Sequence, residues 1–258
     1  MTRAYNTATT QQNSGGAVAG VTAGKNAIIN GGMDIWQRGT SFTIPSSSIT
    51  YTADRWAAYR GATGATVTRQ TTSDSTNLPF IQYCTRIARD SGNTSTAGLY
   101  FAYSFDSVNT IPFAGKTVTF SYYARRGANY SATSNLLVVQ FYTGTGTDQN
   151  VINGYTGNTT VLDTTSTLTT TWQRFTHTFT IASTATEMGF NYVGNVIGTA
   201  GAADYYDITG IQLEVGSVAT PFSRAGGTIQ GELAACQRYY YQAASNTIFG
   251  MYGWFFAY

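Results

Sequence analysis

From about residue 27 to about residue 215, apolar and polar residues alternate singly along much of this chain. In KTVTFSYYAR, Val118, Phe120, Tyr122 and Ala124 fall on one face, with Thr117, Thr119, Ser121 and Tyr123 on the other. GLYFAYSF sets Leu99, Phe101, Tyr103 and Phe105 against Tyr100, Ala102 and Ser104. WQRFTHTFTI sets Phe175, His177, Phe179 and Ile181 against Arg174, Thr176, Thr178 and Thr180. DYYDITGIQLEVG places Ile211, Leu213 and Val215 on one side, Gln212 and Glu214 on the other. A period of two puts successive side chains on opposite faces of a strand. Repeated between Gly, Asn, Ser and Asp turns, it predicts an all-β antiparallel sandwich.

The two ends break this pattern. Residues 1–25 are small and polar without sustained periodicity, which predicts an extended arm that orders only against a partner. After Pro221, TIQGELAACQRYYYQAA carries Ile229, Leu233, Cys236, Tyr240 and Ala243 at spacings of four, three, four and three. That is a heptad-like seam on a short helix with Thr228 as its N-cap, weakened by Gly231. Such a helix packs either on its own sandwich or against identical helices of other subunits. The closing NTIFGMYGWFFAY, with Phe249, Trp254, Phe255, Phe256 and Tyr258, is an apolar patch of the kind a soluble monomer hides. The organisation expected is an arm over 1–25, a sandwich over 26–222, and a helix with aromatic tail for assembly over 223–258. The candidate oligomer interface is Ile229, Leu233, Cys236, Tyr240, Trp254, Phe255 and Phe256.

Composition narrows the function. Charged residues are 10% of the 258 and the net charge is +2, with basic residues scattered and Arg125-Arg126 the only adjacent pair. No electrostatic footprint for nucleic acid is expected, and no apolar run long enough for a membrane helix. The first residues lack the apolar stretch of a secretory signal, so the chain is expected to stay inside the cell that makes it or to leave by another route. Cys84 and Cys236 have no Cys or His neighbour at metal spacing and read as reduced, buried small residues, with a bridge between them left open.

Catalytic chemistry is sparse. There is no GxSxG, HExxH, P-loop or GxGxxG pattern, and the one histidine, His177, sits on the apolar face of its strand as a core histidine would. A lyase-like site of His, Tyr, Arg and Gln on a sheet would need a convergence that strand sequence does not reveal. Sugar binding needs only flat rings and a few orienting polar groups. Tyr51, Trp56 and Tyr59, clustered in one segment, and Trp172, on the polar side of its strand, are the candidates. In the opening stretch, Ile28 and Ile29 read as a first buried strand and Gly31-Gly32 as a break that redirects it. Trp36 is expected against the sandwich edge, and Arg38 beside Asp34 or Asp54.

Three blocks carry a resemblance. NAIINGGMDIWQRGTSF with TADRW, the middle strands GKTVTFSYYAR and TWQRFTHTFTI, and DITGIQLEVGSVATPF with GELAACQRYYYQ together resemble a domain of phage tail and fibre proteins, over roughly residues 26–242. Its core is similar to the jelly roll of carbohydrate-binding modules of families 4, 9 and 22, which open on an NG-aromatic-acidic motif and close on Leu-Glu-x-Gly, here Leu213 to Gly216. The resemblance implies a jelly roll in a non-enzymatic virion structural protein: a tail fibre, collar or other appendage subunit, assembled in the host cytoplasm. Its implied partners are sister subunits in a trimer, other virion proteins and host surface glycans. Head decoration, or adsorption as a carbohydrate-binding module, are the alternatives. No cofactor is implied beyond the structural calcium such modules often hold. Asp34 fits its first ligand position; the last-strand position falls on Thr209, with Asp207 two residues away.

Overall fold

A computed structural model describes residues 25–46, 48–60 and 64–242. Among the described residues, twelve strands form two six-stranded antiparallel sheets. They are β1 (Ser41–Thr43), β2 (Thr50–Tyr51), β3 (Trp56–Arg60), β4 (Ala65–Thr71), β5 (Tyr83–Arg89) and β6 (Leu99–Ser104). After them come β7 (Thr117–Arg126), β8 (Leu136–Gly144), β9 (Thr159–Thr167), β10 (Gln173–Thr180), β11 (Glu187–Gly194) and β12 (Tyr205–Val215). The first sheet runs β1-β4-β5-β12-β7-β10 and the second β2-β3-β6-β11-β8-β9, so the chain repeatedly crosses between layers as a jelly roll does. One short helix, α1 (Ser107–Thr110), follows β6, and α2 (Ile229–Gln237) follows the sandwich.

The alternation sorts side chains as expected. Val118, Phe120, Tyr122 and Ala124 of β7 and Leu99, Phe101 and Tyr103 of β6 all face the common core. β10 lies at a sheet edge, so its inward residues Phe175, His177 and Phe179 are only half-buried. The core is rich in aromatic contacts: Trp56 stacks on Phe101 at 4.9 Å, with Tyr103 at 5.0 Å and Phe190 at 5.7 Å.

β12 departs from simple alternation. A bulge shifts its register between Thr209 and Gln212, centred on Gly210 at φ +58°. The extra residue lets Ile208 and Ile211 both face the core, and a side chain at Gly210 would strike Ile81 and Tyr123. Val215, expected inward, is 60% exposed because the core ends at Leu213. Gln212 and Glu214, on the polar side, are nevertheless buried. Their side chains hold the returning segment against the sheet. Glu214 accepts hydrogen bonds from the Thr220 N–H (2.9 Å) and hydroxyl (2.7 Å), and Gln212 accepts from the Ser223 N–H (2.8 Å). Burial works against the Glu214 charge, yet the bonds from Thr220 and Gln212, with Lys25 at 3.4 Å, hold its carboxyl below the usual value. The block QLEVGSVATPF is therefore a side-chain clasp.

The opening NAIINGG is not a strand. It is a run of turns knotted by two asparagines, with Ile28 fully buried. Asn26 donates to the Ile211 and Ser223 carbonyls, each at 3.0 Å, and accepts from the Leu213 N–H at 3.1 Å. Asn30, at φ +59°, donates to the Ile35 carbonyl and accepts the Ile35 N–H, while its own carbonyl receives Trp56 Nε1. Gly31 is required because a side chain there would collide with the Ile211 carbonyl. Trp36 is buried against Phe42, and Arg38 lies 3.8 Å from Asp54, one of its two expected partners.

Thr228 caps α2 as expected, accepting the Gly231 N–H at 3.1 Å. The predicted seam divides. Cys236 faces the sandwich, but the other inward residue is Glu232, whose carboxylate accepts the N–H groups of Asn30 and Gly226. Ile229 and Leu233 point outward, 43% and 36% exposed. The helix ends at Gln237, so Tyr240 is off the seam altogether. It lies beneath the Arg38 guanidinium at 3.5 Å, and Tyr239 beneath Arg55 at 3.6 Å. Gly231 persists in the helix because the Gly226 backbone passes against it. Cys84 and Cys236 are both buried free thiols. Of the arm over 1–25, only Lys25 is described; the aromatic tail, with Trp254, Phe255 and Phe256, lies outside the described residues.

Candidate functional site

The face of the second sheet that points away from the core carries β3 Tyr59, β6 Tyr100, β8 Tyr142 and β11 Asn191. Tyr59 stands directly opposite Tyr100 in the β3–β6 register, their rings 5.9 Å apart at 62°. Asn191 pairs with Ala102 on one side and Gln140 on the other, placing its amide in mid-sheet. The loop between β8 and β9 folds back over the lower part of this face. Val151 and Tyr155 are buried against Ala102, and the Tyr155 hydroxyl donates to the Met188 carbonyl at 2.9 Å. Gly189 makes room for them, since a side chain there would meet the Tyr155 hydroxyl and Val151.

What remains open is a groove of about 410 Å³, floored by Asn191 and the tyrosines and walled by residues 151–154. That volume suits one or a few small rings. Among the lining residues there is no Asp, Glu, Lys, Arg or His. The Asn191 side-chain oxygen is buried and has no hydrogen-bond partner, in a residue only 7% exposed. Burial pushes the Tyr142 phenol up, partly offset by its hydrogen bond with Asn191. The groove thus offers flat rings and neutral phenols, a surface on which a hydroxyl-bearing ring can stack.

Four residues were expected to contact sugar, and the structure separates them. Tyr59 lines the groove. Tyr51, 47% exposed, is on the same face but borders a separate cavity of about 30 Å³ with Arg55 and Asn150. Trp56 is wholly buried in the aromatic core and presents no face to a ligand. Trp172 is buried on the outer side of the other sheet, donating to the Thr72 carbonyl at 3.0 Å beneath Arg125. Tyr100, Tyr142 and Asn191 were missed. Tyr100 had a signal: it is an aromatic ring on the polar side of an alternating strand.

The expected calcium ligands are also apart, each committed elsewhere. Asp34 pairs with Arg224 at 2.7 Å, and the buried Asp207 lies between Arg86 and Arg125, both at 2.8 Å. Those guanidiniums occupy the positions a cation would take, so this pair does not form a metal site. Among the described residues no three His, Cys, Asp or Glu side chains gather closely enough to hold an ion. His177 faces inward from β10, its ring 6.0 Å from that of Tyr122, and burial lowers its pKa. It lies on the other sheet from the tyrosine groove, so the four residue types of the lyase-like expectation are not assembled there.

The fold is a two-sheet antiparallel jelly roll with an aromatic groove on the outer face of its second sheet. No family model matches the sequence, and no curated protein matches it. Three solved structures illustrate its likenesses. The TmCBM61 module in complex with β-1,4-galactotriose is 10% identical, with a TM-score of 0.42 over 74% of this chain and 99% of that one. A CBM22 xylan-binding domain is 16% identical, with a TM-score of 0.41 over 71% and 99%. The enzymatically active domain of tailspike protein 4 from bacteriophage CBA120 is 10% identical, with a TM-score of 0.41 over 74% of this chain but only 21% of that one. Scores this low leave the functional reading to the chain's own geometry.

Proposed function

We propose that this chain is a non-catalytic structural subunit of a phage particle, of the tail-fibre, collar or appendage kind, that contacts host glycans through the Tyr59–Tyr100–Tyr142 groove. The observation that carries the glycan contact is the groove itself, floored by the rings of Tyr59, Tyr100 and Tyr142, with no acid or base among its lining residues. The sequence resemblance of residues 26–242 supports the virion setting. Rings on three strands hold a saccharide by stacking. Binding of the wild type to a glycan or host-surface panel tests this. Tyr100→Ala and Tyr142→Ala are each expected to weaken that binding about tenfold, at unchanged far-ultraviolet dichroism. A wild type that binds no glycan overturns the glycan contact.

Assembly as a homo-oligomer, with a trimer expected, rests on a different observation. The outward side of α2 shows Ile229, Leu233 and Ala234 to solvent with no acid among them. A second copy of the same helix covers such a face by burying apolar area. Sedimentation checks it: the wild type runs as an oligomer, and Leu233→Asp runs as a folded monomer. A wild type that is monomeric at all working concentrations removes this part of the proposal.

A further inference from the structure

Residues 238–242, which follow α2, lie on the sandwich through polar and stacking contacts. Gln37 Nε2 donates to the Tyr240 carbonyl at 2.7 Å. The Tyr239 hydroxyl donates to Asp106 Oδ2 at 2.6 Å and accepts Asn109 Nδ2 at 3.2 Å. Asp106 is the N-cap of α1, yet its carboxylate caps no N–H of that helix. It is turned instead toward Tyr239 and toward Arg55 Nη2, 3.2 Å away.

The missing cap comes from the loop that walls the groove. Asp148, in the β8–β9 loop, accepts the Ser107 N–H at 2.7 Å, and the Ser107 hydroxyl accepts the Asp148 N–H at 3.0 Å. This reciprocal pair holds Asp148 at φ +51°, a conformation that aspartate and asparagine tolerate better than most side chains. The chain then runs directly into the wall, where Asn150 caps a turn over Val151–Asn153 by accepting the Ile152 N–H at 2.8 Å. A second path reaches the same turn. The Arg55 guanidinium lies over the Tyr239 ring at 3.6 Å and donates to the Ser104 carbonyl at 2.8 Å, while Ser104 Oγ accepts the Val151 N–H at 3.0 Å.

We propose that Asp148 and Ser107 are positioning residues for the Tyr59–Tyr100–Tyr142 groove, and that Tyr239 ties them to the segment after α2. Seating residues 238–242 on the sandwich then sets the wall for binding. The proposal rests on the groove being the glycan site. Asp148, Ser107 and Tyr239 do not line the groove and act through residues 151–154, which do. A subunit whose 238–242 segment is displaced holds a looser wall and binds glycan more weakly.

Amide hydrogen exchange of the full chain, read peptide by peptide, tests the wall, and glycan titration tests the groove. Asp148→Ala is expected to speed exchange over residues 149–154 about tenfold, with β6 and β11 unchanged, and to weaken glycan binding about three- to tenfold. Asp148→Asn keeps an acceptor oxygen and tolerates the positive φ, so it restores most of both. Tyr239→Phe keeps the ring beneath Arg55 and removes only the hydroxyl. Exchange over 149–154 is expected to rise about threefold, with binding weakened in step. Wall exchange that is unchanged in Asp148→Ala overturns the proposal, as does a looser wall at unchanged glycan affinity. A response to Asp148→Ala without one to Tyr239→Phe overturns the link to the segment after α2. A wild type that binds no glycan removes the functional reading above, and the exchange measurements alone then decide whether Tyr239 and Asp148 hold the wall.

Discussion

Asp204→Ala is expected to cost about 3–5 kcal/mol of folding free energy, a large part of the roughly 5–15 kcal/mol that holds a domain together. Asp204 and Arg89 form an ion pair in which both side chains are 0% exposed, at 2.6 Å. The Arg89 guanidinium also donates to the carbonyls of Ser95, Gly198 and Ile197 and to the Ser131 hydroxyl, at 2.8–3.0 Å. One buried fork thereby ties the loops after β5, β7 and β11 to the end of the sandwich. Removing the acid strands a charge that cannot reach water, and the polar loop groups around it were arranged for that charge. The measurement is the urea midpoint at constant m-value. Replacing both partners with apolar residues of similar volume is expected to recover part of the loss, since the penalty comes chiefly from the orphaned charge. A single substitution costing under about 1 kcal/mol would show that the pair is solvated in solution.

Trp56→Ala is the second large effect, also about 3–5 kcal/mol, through loss of a large buried side chain and the cavity left behind. Its ring lies nearly parallel to Phe101, at 5°, and Nε1 donates to the Asn30 carbonyl at 3.2 Å. The residue thus joins the aromatic core to the asparagine knot at the start of the domain. From the sequence alone the same substitution tests sugar binding, because Trp56 stands between Tyr51 and Tyr59. The structure changes the expected readout: the melting temperature falls, and binding is lost only with the folded fraction. Tyr100→Ala is the contrasting case, because a half-buried groove ring is removed while the core stays packed. If Trp56→Ala melted like the wild type yet lost glycan binding, the buried placement of its ring would be wrong.

The difference between Trp56 and Tyr100 shows how much was legible beforehand. Alternation assigns each residue of a strand to one of two faces, and for β6 and β7 that assignment is correct at each position named. It does not say which face of which sheet meets solvent, or what folds over it. Tyr51, Trp56 and Tyr59 are close in sequence, yet Trp56 and Tyr59 are an odd number of residues apart on one strand and point oppositely. The groove draws on residues 59, 100, 142 and 191, whose adjacency exists only through strand pairing across the sheet. The helix seam misled for a related reason. A heptad-like spacing finds an apolar stripe, but a buried Glu232 that satisfies two turn N–H groups outweighed it in deciding which side docks.

The all-β class, the inward set of residues on the regular strands and the N-cap of α2 are legible along the chain, because they depend on local periodicity and on a cap three residues from its donor. The bulge at Gly210, the burial of Gln212 and Glu214, the partners of Asp34 and Asp207, and the groove of Tyr59, Tyr100, Tyr142 and Asn191 emerge only in the folded chain. Each of these follows from register and from long-range approach between segments, which no short-range pattern encodes.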